Sequence, residues 1–259
     1  MPSLHTLHLP ASCTERAADR RRVWRDAEAL YEPADAEALY GLTTVTTLSF
    51  HEMRDIRDED GAFEDPAGQW VLNLSRLTAL TSLDLQECST VKDVQVQLAS
   101  KLLGLTYLDL SRCRRHVTAE GLRTVGRLTA LATLNLQSCD VTTEVLRAVS
   151  VLPALSSLDI NYCNSVTVEG LRTLSTCTTL SKLNITICNM TDEKLRAVST
   201  CSALSSLDLS WCSNVSDAGL RTLHVLAALT SLDLHNCVSV TEAGKRALRA
   251  ALPNLTING

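Results

Sequence analysis

Aromatic residues are scarce in this chain of 259 residues, because Phe, Trp and Tyr together make up only 3% of it. The core is therefore predicted to be built from aliphatic side chains. Long apolar runs are also missing: no stretch of about 18 apolar residues could form a membrane-spanning helix. Residues 1–9 contain no basic segment followed by an apolar one, so no signal peptide is predicted. We expect a cytoplasmic protein in a reducing, intracellular compartment.

Cys-x-x-Cys pairs are absent as well, although the chain has ten cysteines. Zinc sites need Cys or His ligands about two to five residues apart, so no metal site is predicted. His5 and His8 have no second pair of ligands. His235 stands near Asp233, but no Ser or Cys nucleophile pairs with it credibly. We expect neither a cofactor nor an enzymatic activity.

What the chain does contain is a nine-residue pattern, Leu-x-x-Leu-x-Leu-x-x-Cys, that recurs along most of its length. Its cysteines are Cys88, Cys113, Cys139, Cys163, Cys188, Cys212 and Cys237. The period of 24 to 26 residues is typical of leucine-rich repeats. One repeat cannot bury its apolar face alone, so the copies are predicted to stack into a solenoid with a continuous core.

Each copy is predicted to form a strand, a turn, a helix and a turn. Between Leu155 and Ile160, apolar residues flank one polar residue, which is the pattern of a strand with one buried face. Asp159 must then face outwards. The second half begins with a hydroxyl residue that can accept from the unpaired amides of a first helical turn. The predicted helix starts are Thr118, Thr142, Thr167, Thr191, Ser216 and Thr241.

The domain organisation follows from where the pattern holds. Residues 77–259 follow it and residues 1–76 depart from it, and we predict that both form one continuous solenoid. Two insertions interrupt the first part: residues 14–31 predict a helix, and the acidic residues 54–69 predict a loop. Both ends are predicted strands with little polar cover beyond Lys245, so an end is expected to contact a larger assembly.

The cysteines are predicted to be structural. The ladder cysteines share one position, and Cys177 and Cys201 share a second position where other copies have Leu. A position that accepts Leu is apolar, so these thiols should act as small, buried hydrophobic groups. We predict that all ten thiols are reduced and that Cys13, which lies off the ladder, reacts first.

Residues 177–201 resemble the cysteine-containing leucine-rich repeat. This subclass occurs in the substrate-binding halves of F-box proteins and in relatives of the antagonist of the mitotic exit network. The resemblance covers residues 77–259. It implies a curved α/β horseshoe with a parallel sheet on the concave face, helices on the convex face, and partner recognition on the concave face. Residues 10–41, between the first two predicted strands, are too few and too charged for an F-box.

Two columns of residues on the predicted concave face are candidates for binding. The central column is Asp84, Asp109, Asn135, Asp159, Asn184, Asp208 and Asp233. It is either the consensus of the subclass or an acidic groove for a Lys/Arg-bearing partner. The residue before each cysteine is large and apolar in three consecutive copies, Tyr162, Ile187 and Trp211. Such residues mark binding hot spots, although a partial self-burial against the adjacent turn would also explain them.

These columns predict a non-catalytic protein-interaction scaffold whose partner carries a basic segment with an apolar anchor. The candidate contacts are Tyr162, Ile187, Trp211, Asp159, Asn184, Asp208, Asp233, His235 and Tyr107. A column of arginines on the helices, Arg172 among them, is interpreted as intrahelical pairing, with anion binding as the alternative. Direct nucleic-acid and membrane contacts are not expected. Two other functions stay open: a structural subunit of a cytoskeletal, flagellar or ribonucleoprotein assembly, and an adaptor for a separate ubiquitin ligase subunit.

Overall fold

The computed structural model describes residues 6–9, 45–50, 56–57, 63–64, 77–88, 91–113 and 116–259. These residues belong to two compact units, Met1–Leu131 and Ala132–Gly259. The predicted helix at 14–31 and Cys13 lie outside the described residues. The predicted boundary at residue 76 stays a prediction.

The described part of the first unit contains a parallel sheet in which each strand pairs with the strand of the next repeat. Its strands are β1 (Thr6–Leu9), β2 (Thr47–Phe50), β5 (Ser82–Asp84) and β6 (Tyr107–Asp109). Helices α1 (Asp93–Ala99) and α2 (Ala119–Arg123) follow the last two strands, and a 3-10 turn (Thr124–Arg127) extends α2.

A separate antiparallel hairpin of β3 (Ile56–Arg57) and β4 (Phe63–Glu64) lies within the segment predicted as an acidic loop. The loop prediction is wrong for these four residues. Ile56 and Phe63 are residue types that favour strands, and each is paired in this hairpin. The high charge of the segment obscured this strand signal.

The second unit repeats the same arrangement. Its parallel strands are β7 (Thr133–Asn135), β8 (Ser157–Asp159), β9 (Lys182–Asn184), β10 (Ser206–Asp208), β11 (Ser231–Asp233) and β12 (Thr256–Asn258). Its helices are α3 (Thr143–Ser150), α4 (Val168–Thr173), α5 (Asp192–Val198), α6 (Asp217–Arg221) and α7 (Glu242–Ala251). Further 3-10 turns follow α4 (Leu174–Thr176) and α6 (Thr222–Val225). The strands pair in register, so equivalent residues of neighbouring repeats lie side by side.

The repeat pattern forms the core because all four of its defining positions are buried. In the fourth regular copy, Leu155, Leu158, Ile160 and Cys163 have at most 1% of their surface exposed. Asp159 points to the other side of the strand and is partly exposed. The predicted alternation is confirmed, and the open side of the second unit's sheet is called the strand face below.

The predicted helix starts are confirmed as N-caps, since each helix begins at the following residue. Five of the six hydroxyls accept from an amide of the first turn, as Thr167 does from Gly170 N at 3.0 Å. Thr142 is the exception, and its Oγ1 is buried without a hydrogen-bond partner. Each of the five N-cap hydrogen bonds stabilises its helix by about 1 kcal/mol.

A second set of bonds links the N-caps of successive repeats, and the sequence pattern did not predict it. The first residue of a helix is in three cases an aspartate, whose two oxygens accept from the backbone N–H and the hydroxyl of the next N-cap at 2.6 to 2.8 Å. These pairs, called the aspartate clamps, are Asp93 with Thr118, Asp192 with Ser216, and Asp217 with Thr241. Hydrogen bonds from Thr241 lower the pKa of Asp217, so the clamp favours the ionised carboxylate.

Each clamp requires a glycine in the following helix. A Cβ built at Gly121, Gly219 or Gly244 would overlap with the clamping carboxylate. Helix α4 begins with Val168 instead of Asp, and the third residue of the next helix, where Gly would be expected, is Lys194. The pairing is not strict, because Gly170 of α4 follows a helix that begins with Thr143, and a Cβ at Gly170 would meet the Leu146 side chain at 2.9 Å.

Lys245 occupies the position where five preceding helices have a buried Leu. Its ammonium group donates to Glu242 at 2.8 Å and to the carbonyl oxygen of Gly259 at 2.7 Å, beside the end of β12. Arg249 reaches the Ile257 carbonyl oxygen of the same strand at 3.5 Å. Two cations of α7 thus cover backbone acceptors that a following strand would otherwise bind.

The nine cysteines among the described residues are all free and buried. Ladder thiols donate to a backbone carbonyl oxygen of the preceding repeat, a role that Leu at this position could not perform. Examples are Cys163 to Leu136 (3.2 Å), Cys188 to Ile160 (2.9 Å) and Cys237 to Leu209 (3.0 Å). Burial raises the pKa of Cys188 to about 11 and that of Cys212 to about 12, so these thiols stay protonated at neutral pH. The prediction of buried ladder cysteines is confirmed.

Candidate functional site

The predicted central column has the same structural role in each of its seven repeats, in both units. Oδ1 of each Asp or Asn accepts the backbone N–H of the residue two positions later, at 2.7 to 3.1 Å. This Asx turn ends the strand and starts the tight turn that follows. Asn performs it as well as Asp, because only a carbonyl-type oxygen is needed. The alternation of Asp84, Asp109, Asn135, Asp159, Asn184, Asp208 and Asp233 thus has a local cause.

The other polar atom of these side chains, Oδ2 in Asp or Nδ2 in Asn, has different partners in different repeats. In the second unit, Asn184 Nδ2 donates to Asp159 Oδ2 at 2.8 Å, so both oxygens of Asp159 are engaged. A continuous acidic groove is therefore interrupted at this pair. Asp208 and Asp233 lie side by side on β10 and β11 and form the more strongly acidic end of the strand face.

Two polar residues, Ser210 and His235, contact this acidic pair. Ser210 Oγ lies 2.6 Å from Asp208 Oδ1 and 2.8 Å from Asp233 Oδ1. His235 contacts Asp233 Oδ1 twice, through its backbone N–H at 2.9 Å and its ring Nδ1 at 2.7 Å. Burial acts to raise the pKa of Asp233, but the hydrogen bonds from His235 and Ser210 outweigh it and lower this pKa. Ser210 was not a predicted site residue, because serine is common throughout the repeats.

The column before the cysteines has an unusual backbone. All seven residues lie in the left-handed region, with φ between 54° and 63°. They are Glu87, Arg112, Ser138, Tyr162, Ile187, Trp211 and Asn236. This region favours Gly and Asn, and a β-branched residue such as Ile187 is strained in it. The strain is of the order of 1 to 2 kcal/mol.

In the second unit, three of these turns place apolar side chains in a row. Tyr162 and Trp211 are 49% and 59% exposed, which is high for aromatic residues, while Ile187 between them is partly exposed. The backbone keeps the turns in register, since Tyr162 N donates to Thr186 O at 3.0 Å and Trp211 N to His235 O at 2.7 Å. We call Tyr162, Ile187 and Trp211 the apolar turn edge. The alternative prediction, a partial self-burial of these side chains against the adjacent turn, stays open.

The first unit differs at the same column. There Glu87 and Arg112 form an ion pair at 2.5 Å. Tyr107 also belongs to this unit and donates its hydroxyl to Asp109 Oδ2 at 3.3 Å. Burial, followed by the charges of Asp109 and Asp84, raises the pKa of Tyr107 to about 12. Tyr107 therefore bonds to the aspartate that forms the Asx turn of its own strand, in the first unit, whereas the apolar turn edge belongs to the second unit.

Other kinds of site have little support among the described residues. No three His, Cys, Asp or Glu side chains of this part lie close enough to share a metal ion. Ser210 and His235 both bond to Asp233, so the hydroxyl faces a carboxylate and is not activated by the ring.

Two shallow clefts lie between helices, one lined by Val94, Lys101 and Arg127 and the other by Arg221, His224 and Ala247. No helix among the described residues is long and apolar enough to cross a membrane.

Comparison with known sequences identifies the repeat. The family model described as "Leucine Rich repeat" matches residues 200–223, which include the strand and turn that carry Asp208 and Trp211. No curated protein has a sequence that matches this chain. The sequence match is thus confined to a single repeat.

Solved structures extend the similarity over most of the chain. Internalin C2 of Listeria monocytogenes has a TM-score of 0.59 and 20% identity, over 90% of this chain and 92% of that one. The internalin inlF of the same bacterium gives 0.55 and 20%, over 86% of this chain and 63% of that one. The TLR13 chain of a TLR13–ssRNA13 complex gives 0.57 and 20%, with 86% and 33% covered. This chain therefore spans less than two thirds of two of these three structures.

The likeness at 20% identity establishes the fold alone. Together with the repeat match in residues 200–223, it supports a leucine-rich-repeat fold, and the predicted α/β solenoid class is confirmed. Leucine-rich-repeat proteins are in general non-catalytic scaffolds that bind other proteins. Function must still be argued from the site, because unrelated functions share such folds.

Proposed function

We propose that the chain is a protein-interaction scaffold that binds a partner at the apolar turn edge and the adjacent acidic end of the strand face. The observation that carries this proposal is the exposure of Tyr162 and Trp211 on either side of Ile187, a residue held in a strained left-handed conformation. All seven equivalent turns share the left-handed conformation, and only these three of them carry a large apolar side chain. Trp and Tyr are also the side chains that dominate binding energy at interfaces.

Charge indicates what kind of segment binds there. Asp208 lies three residues before Trp211, Asp233 is the register partner of Asp208 on β11, and both aspartates are partly exposed on the strand face. A partner segment with a Lys or Arg near an apolar anchor would pair with these carboxylates while burying the indole. Lys182 on β9 places a positive charge on the same face. This charge would repel a partner segment that is basic along its whole length. The partner is thus a short basic segment with an apolar residue, within a protein.

We expect Trp211→Ala to weaken partner binding by about 30-fold, equivalent to about 2 kcal/mol, because a hot-spot indole is lost. The same change should leave the thermal stability almost unaltered, since more than half of this side chain is exposed. Arg172→Ala on the exposed side of α4 is the matched control and should bind normally. Binding can be measured by quantitative affinity capture, followed by titration with the purified partner. Loss of binding in Arg172→Ala but not in Trp211→Ala would move the site to the helices.

Ile187→Asn tests the role of the strained backbone. Asn adopts the left-handed conformation readily, so we expect the free energy of unfolding to stay equal or to rise by up to about 1 kcal/mol. Partner affinity should fall by about tenfold, because the centre of the apolar turn edge becomes polar. Urea unfolding and the binding titration together give both values. A lower stability with unchanged affinity would mean that Ile187 serves packing and not recognition.

The resemblance to the cysteine-containing subclass favours a second function, an adaptor that presents clients to a separate ubiquitin ligase subunit. A structural subunit of a large assembly is the other alternative. Mass spectrometry of captured proteins separates the two, because an adaptor binds a handful of transient clients and a subunit binds a fixed stoichiometric set. The apolar turn edge would serve either role.

A further inference from the structure

His235 and Asp233 form an exposed pair at the end of β11. The ring Nδ1 lies 2.7 Å from Asp233 Oδ1, and the two side chains are 61% and 28% exposed. A neutral ring donates a hydrogen bond to this carboxylate, whereas a protonated ring also neutralises its charge. The pair lies directly beside the apolar turn edge, because His235 O accepts from Trp211 N at 2.7 Å.

Ser210 can donate its hydrogen to only one of the two carboxylates of this cluster at a time. Ser210 Oγ lies within hydrogen-bond distance of carboxylate oxygens of both Asp208 and Asp233, yet a hydroxyl has one hydrogen to donate. The two carboxylates lie on adjacent strands, so their charges repel. An added cation relieves this repulsion, and either a protonated His235 or a basic side chain of a partner can supply it.

We propose that His235 competes internally with the partner's basic group for Asp233, so that the apolar turn edge binds its partner more tightly when His235 is neutral. This inference rests on the proposed function. In the free protein at low pH, the imidazolium pairs with Asp233 and repels an arriving cation. At higher pH, Asp208 and Asp233 are both available to a Lys or Arg that follows the apolar anchor. Affinity therefore falls as the pH is lowered through the range in which histidines gain a proton, about pH 5 to 8.

The surroundings of His235 contain no other described group that changes charge in this range. Asp208 on β10 is the register partner of Asp233, β12 contributes Thr256, Ile257 and Asn258, and Gly259 lies against the His235 backbone. Lys245 of α7 is held by Glu242 and the Gly259 carbonyl oxygen. Burial raises the pKa of the neighbouring thiol of Cys237, which stays neutral.

The test uses a fluorescein-labelled synthetic peptide of alternating arginine and leucine residues, with fluorescence anisotropy measured at constant ionic strength from about pH 5.5 to about pH 8. We expect the full chain to bind this peptide about tenfold more tightly at the highest pH of the range than at the lowest. His235→Gln should remove most of this difference and keep the high affinity throughout. His224→Gln changes an exposed histidine in the 3-10 turn after α6 and should retain the pH dependence.

A second measurement follows the ring signals of His235 by NMR. By reciprocity of linkage, saturating peptide must shift the titration of His235 to lower pH if protonation opposes binding. Full pH dependence in His235→Gln, together with binding that Trp211→Ala abolishes, would overturn this inference and leave the proposed function intact. Equal binding by Trp211→Ala, or no peptide binding at any pH, would contradict both.

Discussion

Replacing Leu158 by alanine is expected to lower the free energy of unfolding by about 2 to 5 kcal/mol, because it opens a cavity in the continuous core. Leu158 is 1% exposed in the middle of β8, and its register partners are Leu134 on β7 and Leu183 on β9. Repeat proteins are stabilised by nearest-neighbour interfaces, so the loss affects two of them at once. Against a total stability of about 5 to 15 kcal/mol, this is a large effect.

Urea unfolding measures the change, and Val151→Ala is the matched control. Val151 is 67% exposed at the end of α3, so its truncation should alter stability by no more than about 0.5 kcal/mol. Hydrogen exchange of Leu158→Ala should show the largest loss of protection in β7 to β9 and a smaller loss in β12. A stability change as small as that of the control would mean that this strand is not part of a stacked core.

The sequence was sufficient to predict most of the repeat because each part of the pattern has a local cause. Alternation around Asp159 predicts a strand with one buried face, and Thr167 predicts a helix start through its hydroxyl. Both predictions are confirmed. The hairpin of β3 and β4 was missed because its strands have only two residues each, too few for any periodic signal.

The candidate site was predicted only in part, because its backbone leaves no signature in composition. The left-handed turn would usually be marked by Gly or Asn, yet Asn236 is the one such residue among its seven members. The turn is instead fixed by the Asx bond before it and by the backbone bonds between repeats. Asp159 was therefore predicted as a contact, whereas the structure commits both of its oxygens internally. Whether these residues bind a partner stays a prediction.

The aspartate clamps were missed for a related reason, since they join residues about one repeat apart. A signal was present, however. Gly219 and Gly244 follow Asp192 and Asp217 by 27 residues, which is one repeat of 25 residues plus two. Both lie inside a helix, where glycine is unfavourable. A residue that opposes local propensity at a regular position indicates a tertiary contact, which here is the approach of a carboxylate.

Replacing Gly219 by alanine is expected to lower the free energy of unfolding by about 2 to 3 kcal/mol. The new Cβ would overlap with the carboxylate of Asp192 and also approach its Cα to 3.0 Å, so rotating the side chain alone does not relieve the contact. The clamp to Ser216 is then broken, with bonds of 2.8 Å from the amide and 2.6 Å from the hydroxyl. In an unobstructed helix the same change would stabilise the protein by up to about 1 kcal/mol, so the sign of the effect distinguishes the two cases.

A double-mutant cycle with Asp192→Ala isolates the contact. Asp192→Ala alone should lower the free energy of unfolding by about 1 to 2 kcal/mol through loss of the clamp. The double variant should be more stable than the sum of the single changes by about 1 kcal/mol or more, because the methyl group of Gly219→Ala no longer meets a carboxylate. Gly104→Ala is the control, since a Cβ there has only one neighbour, the Leu80 carbonyl oxygen at 3.9 Å. Additive single changes, or a stabilising Gly219→Ala, would show that the glycine and the aspartate act independently and that the clamp does not join the repeats.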